Sequence, residues 1–237
     1  MTTNVEKLMR KSALVMLVLA VGFLGATAAM AGTVASCAAG NGPTPGSPVF
    51  PVNCTGSTSG TLLAWMSEPF SYTVTTGTTS GYLYSAVYDD AGTLDFYYQV
   101  VNNAKSVENL DNETDGKFTG FTTNAAYITD GSILTGTPFV DGTEAPQTAN
   151  SLSGGAVISF YFSPPATNDI TPGTASNVLI ISTNATHYDI GNASVIDSGS
   201  ATVLAFEPTI VPEPATLALM GLGLAGLIGW QRRRANR

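Results

Sequence analysis

The sequence has 237 residues, of which 44% are hydrophobic and 11% charged, and its formal net charge is −8. The charges are unevenly distributed. Between residues 32 and 211 only Lys105 and Lys117 accompany fifteen acidic residues, which gives that span a net charge of −13. A surface of this sign repels phosphate backbones, so the composition excludes nucleic acid as an expected partner. The other seven basic residues lie near the two ends of the chain.

The N-terminus has the three parts of a secretory signal peptide. A positive segment, an apolar segment and a small-residue cleavage site follow one another, at residues 7–11, 13–24 and 29–31. A permanent membrane helix is the alternative, but the apolar segment is short for one. We therefore predict a signal peptide over residues 1–31, which signal peptidase removes by cutting between Ala31 and Gly32.

The two cysteines, Cys37 and Cys54, lie in a Pro/Gly-rich segment over residues 32–55. In an oxidising compartment a bond between them would close a small loop and stabilise the fold by about 3 kcal/mol. We predict this disulfide, with two unpaired thiols as the alternative. Residues 34–37 (VASC) also fit a loose lipobox in which Cys37 would become a lipidated N-terminus.

Residues 56–210 contain short segments of alternating polarity separated by turn residues, and no amphipathic helical pattern. In TLDFYYQVV, Leu94, Phe96, Tyr98 and Val100 share one face, and in GYLYSAVY the three tyrosines and Ala86 share another. Further predicted strands have the sequences AVISFYF, NVLIIST, PFSYTVTT, KFTGFTT and TVLAF. About eight strands with regular turns predict an all-β ectodomain, an antiparallel β-sandwich that is jelly-roll-like or Ig-like.

The C-terminus, residues 211–237, combines three elements. A Val-Pro-Glu-Pro stretch at 211–214 is held extended by its prolines, an apolar stretch follows at 215–230, and a basic tail occupies 231–237. As a helix the apolar stretch would span about 24 Å, slightly short for a bilayer core. We predict a transmembrane helix with the arginines in the cytoplasm and the acidic body on the other side of the membrane.

These three elements, in this order, resemble the PEP-CTERM sorting signal of Gram-negative bacteria. The resemblance implies that a membrane-embedded exosortase processes the chain near the motif, with Pro212, Glu213 and Pro214 as the motif residues. It implies export across the inner membrane, transient anchoring by the C-terminal helix, and a final place at the cell surface or outside the cell. Parts of the body, including GTLDFYYQVVNN, also resemble ectodomains that precede such signals, which supports the fold and the sorting but no activity.

The body offers little catalytic chemistry. His187 is the single histidine, and no G-x-S-x-G elbow accompanies it, so we expect a surface histidine near a turn. Asp89 and Asp90 could be considered as an acid–base pair, but adjacent strand residues point to opposite faces, and Asp-Asp-Ala-Gly is typical of a turn. We therefore expect no catalytic residues and no enzymatic activity.

A possible cation site lies in LDNETDGKFTGF. Asp111, Glu113, Asp115 and the following glycine match the first half of an EF-hand-like loop, but Thr122 stands where the bidentate carboxylate belongs. The alternative is an acidic hairpin turn. Ca²⁺ is thus the only cofactor that the sequence suggests.

Three hypotheses follow for the function. The first is an exported, non-enzymatic protein of the cell surface or extracellular matrix, such as a biofilm. The second is an extracellular carbohydrate-binding module, with or without Ca²⁺ assistance. In that module exposed aromatic residues such as Tyr97 would stack on sugars, but the role that we expect for the strand tyrosines is core or cross-strand packing. The third is a hydrolase of extracellular polysaccharide, for which the sequence shows no paired acid and base.

Overall fold

The computed structural model describes residues 43, 48–54, 60–163 and 168–210. This part of the chain contains eleven strands and two short 3-10 helices, Gly131–Ile133 and Ser153–Gly155. The strands are β1 Val52–Asn53, β2 Thr61–Val74, β3 Gly77–Asp90, β4 Thr93–Asn102, β5 Asn112–Asp115, β6 Thr123–Ile128, β7 Thr148–Leu152, β8 Val157–Tyr161, β9 Val178–Thr183, β10 Tyr188–Ile196 and β11 Ser200–Pro208. The predicted all-β class is confirmed.

The strands form two sheets. The six-stranded sheet has the order β1-β6-β9-β4-β3-β2, and the five-stranded sheet has the order β11-β10-β5-β8-β7. All pairings are antiparallel except the two-residue pairing of β1 with β6. The finer choice between a jelly-roll-like and an Ig-like arrangement stays a prediction.

The main core lies between the facing sides of the two sheets. It takes alternate residues of β4, and Leu94, Phe96, Tyr98 and Val100 are all buried there, as their alternation predicts. The five-stranded sheet contributes residues of β8, β10 and β11 to the same cluster: Ile158, Phe160, Ala193, Val195, Ala205 and Phe206. One continuous apolar cluster therefore joins the two sheets.

A second apolar cluster covers part of the opposite, outer side of the six-stranded sheet. A loop over residues 129–142, closed by a 3.0 Å hydrogen bond from Gly142 N to Thr129 O, places Leu134 and Phe139 against this side. The buried side chain of Gln99 on β4 holds the loop, because its amide donates to Val140 O (2.7 Å) and accepts from Val140 N (2.9 Å). We call residues 129–142 the cover loop.

The hairpin between β3 and β4 follows the predicted turn chemistry. Ala91 and Gly92 both have positive φ, 54° and 96°, as the favoured two-residue hairpin turns require. Asp89 supports the turn by accepting a 2.7 Å hydrogen bond from Gly92 N. The predicted strand KFTGFTT is wrong, because its first residues form an irregular segment and β6 begins only at Thr123.

Strand β11 lies at the edge of its sheet and is hydrogen-bonded to the other sheet at Phe206. Tyr98 Oη donates a 2.6 Å hydrogen bond to Phe206 O, and Ser85 Oγ accepts a 3.1 Å hydrogen bond from Phe206 N. Ser85 and Tyr98 are direct cross-strand neighbours on β3 and β4. The two side chains therefore satisfy both backbone groups of one residue on an otherwise open strand edge.

We predict that Tyr98→Phe destabilises the protein. The substitution keeps the ring in the core but leaves the buried Phe206 carbonyl without its donor, which costs about 1–3 kcal/mol. Urea unfolding followed by fluorescence measures the change.

Tyr82→Phe is the matched control, since the Tyr82 side chain is exposed and its hydroxyl can exchange protein for water contacts at little cost. Equal unfolding midpoints for the two variants would contradict the proposed contribution of the Phe206 contact.

Candidate functional site

Two of the three residues predicted to bind calcium lie inside the core. Glu113 and Asp115 are on β5, the middle strand of the five-stranded sheet, and are 0% and 2% exposed. Their cross-strand partners belong to the main apolar cluster: Phe160 and Val195 for Glu113, Ile158 and Ala193 for Asp115. The expected EF-hand-like loop and the alternative acidic turn are both wrong, because residues 112–115 form a strand.

The third residue, Asp111, lies among other carboxylates. Asp169 and Asp197 are its closest acidic neighbours, and the pKa of Asp111 is raised to about 6, first by burial and then by these two charges. Among the described residues, no group of three or more His, Cys, Asp or Glu side chains is arranged to hold a metal ion. Asp111, Glu113 and Asp115 therefore do not converge on one cation position.

Glu113 and Asp115 interact with each other. No hydroxyl or N–H group in the described part of the chain donates to any of their four carboxyl oxygens. Burial raises the pKa of Glu113 to about 8, and its contact with Asp115 lowers this value in part. Burial, followed by the charge on Glu113, raises the pKa of Asp115 well above its ordinary value. A protonated carboxyl group can donate to the other, so the pair is stable in the core only while it retains protons.

A third acidic side chain, Glu207, lies in the same region and is buried. It forms an ion pair with Lys117, whose side chain is largely exposed at the surface. Gly191 makes this possible, because a Cβ at that position would overlap the Glu207 carboxylate. Burial raises the pKa of the Tyr98 hydroxyl well above its ordinary value, and the charges of Asp115, Glu113 and Glu207 raise it further.

Tyr97 is buried, so the expected core packing is confirmed for this residue and the alternative, stacking on sugars, is wrong. Its side chain is 0% exposed, because it packs against Tyr88 (ring centroids 4.7 Å apart) beneath the cover loop. The exposed aromatic residues lie further along the same side of the sheet. Trp65 on β2 is 49% exposed, Tyr82 on β3 is 42% exposed, and Tyr84 lies between them, half-buried. We call Trp65, Tyr82 and Tyr84 the aromatic strip.

The sequence contained a signal for this strip. Alternation in GYLYSAVY places Tyr82, Tyr84, Ala86 and Tyr88 on one face, and the structure confirms it. What alternation alone does not show is which of these residues the cover loop buries. His187, by contrast, lies where we expected it, exposed before β10, with its Nδ1 2.9 Å from the Thr186 hydroxyl.

The described part of the chain ends just after β11. Thr209 N still donates to His187 O (3.0 Å), and Ile210 is exposed. The motif Val-Pro-Glu-Pro begins at the next residue. The remaining predicted site residues lie outside the described residues: Ala31, Gly32, Cys37, Pro212, Glu213 and Pro214. Cys54, which follows β1, is described, and its pairing with Cys37 stays a prediction.

A family model described as the PEP-CTERM protein-sorting motif matches residues 211–234. The chain carries a PEP-CTERM sorting motif. It is therefore an exosortase substrate, as the resemblance of its C-terminus implied. The PEP-CTERM match covers the tail alone. No curated protein and no solved structure matches the chain.

The PEP-CTERM motif also implies export and a membrane-anchored sorting signal, with a final place outside the cell or at its surface. The predicted transmembrane helix at 215–230 lies outside the described residues. Across the residues that are described, no helix is long and apolar enough to cross a membrane.

We predict that this PEP-CTERM protein loses stability as the pH rises from about 4.5 to about 8. Glu113 has its pKa raised on folding, from 4.5 to about 8, so its stabilising protonation is complete below the lower value and lost above the higher one. Thermal melting across this range measures the loss, at about 1.4 kcal/mol for each pKa unit.

The variant Glu113→Gln removes the titration of Glu113 and should make the profile less steep, with a gain in melting temperature that is largest at high pH. Part of the dependence should remain, because burial also raises the pKa of Asp115. Glu68→Gln on the edge strand β2 serves as the control and should leave the profile of the wild-type protein unchanged. A Glu113→Gln profile that still falls as steeply would show that other groups cause the dependence.

Proposed function

We propose that the chain is a non-enzymatic protein of the cell surface or extracellular matrix, delivered by its two terminal signals. The observation that carries the proposal is the match of residues 211–234 to the PEP-CTERM motif, directly after the end of the β-rich body. In this proposal signal peptidase removes residues 1–31, and the helix at 215–230 holds the chain in the inner membrane. Exosortase then processes the chain near Pro212, Glu213 and Pro214.

Two features of the body support a non-enzymatic role. In the described part of the chain, the only side-chain hydrogen bond of His187 is with the hydroxyl of the neighbouring Thr186. The close carboxyl pair, Glu113 and Asp115, is enclosed by the core and cannot reach a substrate in solution. General acid–base catalysis requires a group within hydrogen-bond reach of the substrate.

Extracellular carbohydrate binding is a second candidate function, and the aromatic strip favours it. Trp65 and Tyr82, which are exposed, and the half-buried Tyr84 lie on one sheet face and offer apolar surface together with hydroxyl and indole hydrogen-bonding groups. Calcium assistance is not part of this candidate, because Asp111, Glu113 and Asp115 do not converge.

We predict that replacing both motif prolines, Pro212→Ala with Pro214→Ala, blocks processing. Without the prolines, residues 211–214 can continue the following helix instead of remaining extended, and the processing enzyme loses its expected substrate conformation. Mass spectrometry of the protein from a host that contains exosortase should show the tail removed in the wild type and retained in the variant.

Pro208→Ala is the matched control, since Pro208 ends β11 outside the motif, and its mature form should have the wild-type mass. The same spectra define the N-terminus and decide between cleavage after Ala31 and lipidation of Cys37. An intact chain with both ends retained in the cytoplasm would refute the proposed function.

A further inference from the structure

We propose that the aromatic strip is the binding site for an uncharged polysaccharide. The inference deepens the proposed function, on which it rests: it assumes that the body is displayed outside the cell, and it assigns the residues and the class of ligand.

The strip is continuous across two strands. Trp65 pairs with Ala86, and the next pair on the same face joins Ser67 to Tyr84, so that Trp65 and Tyr84 are diagonal neighbours within reach of each other. Tyr82 follows two residues before Tyr84 on β3, and their rings are stacked, with centroids 6.2 Å apart and an interplanar angle of 26°. The three side chains therefore form one continuous aromatic patch on this face of the sheet.

Packing within the body does not account for the exposure of these rings. The cover loop buries Tyr88 and Tyr97 on the same face, and its attachment to Gln99 marks the boundary. Tyr84, which pairs with Gln99, touches the covered cluster, whereas Tyr82 lies one pair further and is open to solvent. Exposed aromatic area is unfavourable in water, so a partner that covers the rings gains from their burial.

The charge of this face favours an uncharged partner. Every residue on the outer side of this part of the sheet is uncharged. The part comprises Trp65 to Thr73 on β2, Thr78 to Ala86 on β3, and Tyr97 to Asn103 at the end of β4. The body around it carries a net charge of −13, which repels polyanions and attracts cations to other surfaces. Sugar rings have an apolar face that can lie on an aromatic ring, and their hydroxyls can bond to Ser67, Ser71 and the tyrosine hydroxyls.

The area of the strip argues against a second copy of the chain as the occupant. Trp65 and Tyr82 are 49% and 42% exposed and Tyr84 is more covered, so the three rings offer roughly 200–250 Å² if a whole aromatic side chain buries about 200 Å². A stable protein interface needs about 800 Å² from each partner. The strip is therefore too small for a dimer of ordinary stability, but it is large enough for a few sugar rings.

The experiment measures retention of the full mature protein, purified from its own host, in affinity gels. Each gel contains one polymer. The neutral polymers are uncharged cellulose derivatives, dextran, mannan and galactan, and the polyanion is alginate. We expect retention by at least one neutral polymer and none by alginate. Trp65→Ala, and Tyr82→Ala with Tyr84→Ala, should each weaken retention by roughly tenfold or more.

Phe50→Ala is the matched control, because it removes an aromatic side chain outside the strip that is even more exposed than Trp65, and it should bind as the wild type does. Tyr82→Phe with Tyr84→Phe keeps the rings and should retain most of the binding. Melting temperatures verify that each variant is folded, and sedimentation measures whether it is monomeric.

The proposal is overturned if no neutral polymer retains the protein, if only alginate does, or if the alanine variants bind like Phe50→Ala. A wild-type dimer that Trp65→Ala dissociates would overturn it in favour of a second copy. The cellular location and the mass of the protein in the same cultures distinguish a failure of this inference from a failure of the proposed function. A processed, extracellular protein that binds no glycan refutes this inference alone. An unprocessed chain in the cytoplasm refutes the proposed function.

Discussion

The two hydrogen bonds at Phe206 connect the sheet that ends the body to the sheet that carries the aromatic strip. β11 pairs with β10 on one side only, so its other edge would expose unpaired backbone groups. Tyr98 and Ser85 satisfy these groups from β4 and β3, the centre of the other sheet and the base of the strip. The PEP-CTERM motif begins at residue 211, with two residues between it and the end of β11.

The same region contains the least favourable group of side chains in the core. Glu113 and Asp115 replace apolar residues at two positions of the middle strand, and only proton sharing makes their burial tolerable. Glu207 avoids this problem through Lys117, one of the two lysines of the body, and through the space left by Gly191. A protein outside the cell experiences the pH of its surroundings, so the margin of stability of this core depends on the medium and not on a buffered cytoplasm.

Much of the fold could be predicted from the sequence, because its strands alternate cleanly and its turns use Asp, Asn and Gly. The burial of alternate residues of β4 and the hairpin at Ala91-Gly92 followed directly from these patterns. The acidic segment was misinterpreted for a physical reason: alternation of Asp and Glu with polar residues resembles a solvated loop, and a carboxyl pair that shares protons in a core has no local signature. Its neighbours on β8 and β10 are distant in the sequence and become adjacent only when the sheet forms.

Tyr97 and Tyr82 show where the prediction of a binding site reaches its limit. Both lie on the outer side of one sheet, and both satisfy the same alternation, yet one is buried and the other exposed. The difference comes from the cover loop, which the buried Gln99 amide binds at Val140 and which packs Leu134 and Phe139 on the sheet. A segment that closes part of a sheet face against solvent thereby defines the part that stays open. On a body sorted to the outside of the cell, the part of the sheet face that the cover loop leaves open is an uncharged aromatic surface, and this chemistry is the basis of the proposed polysaccharide site.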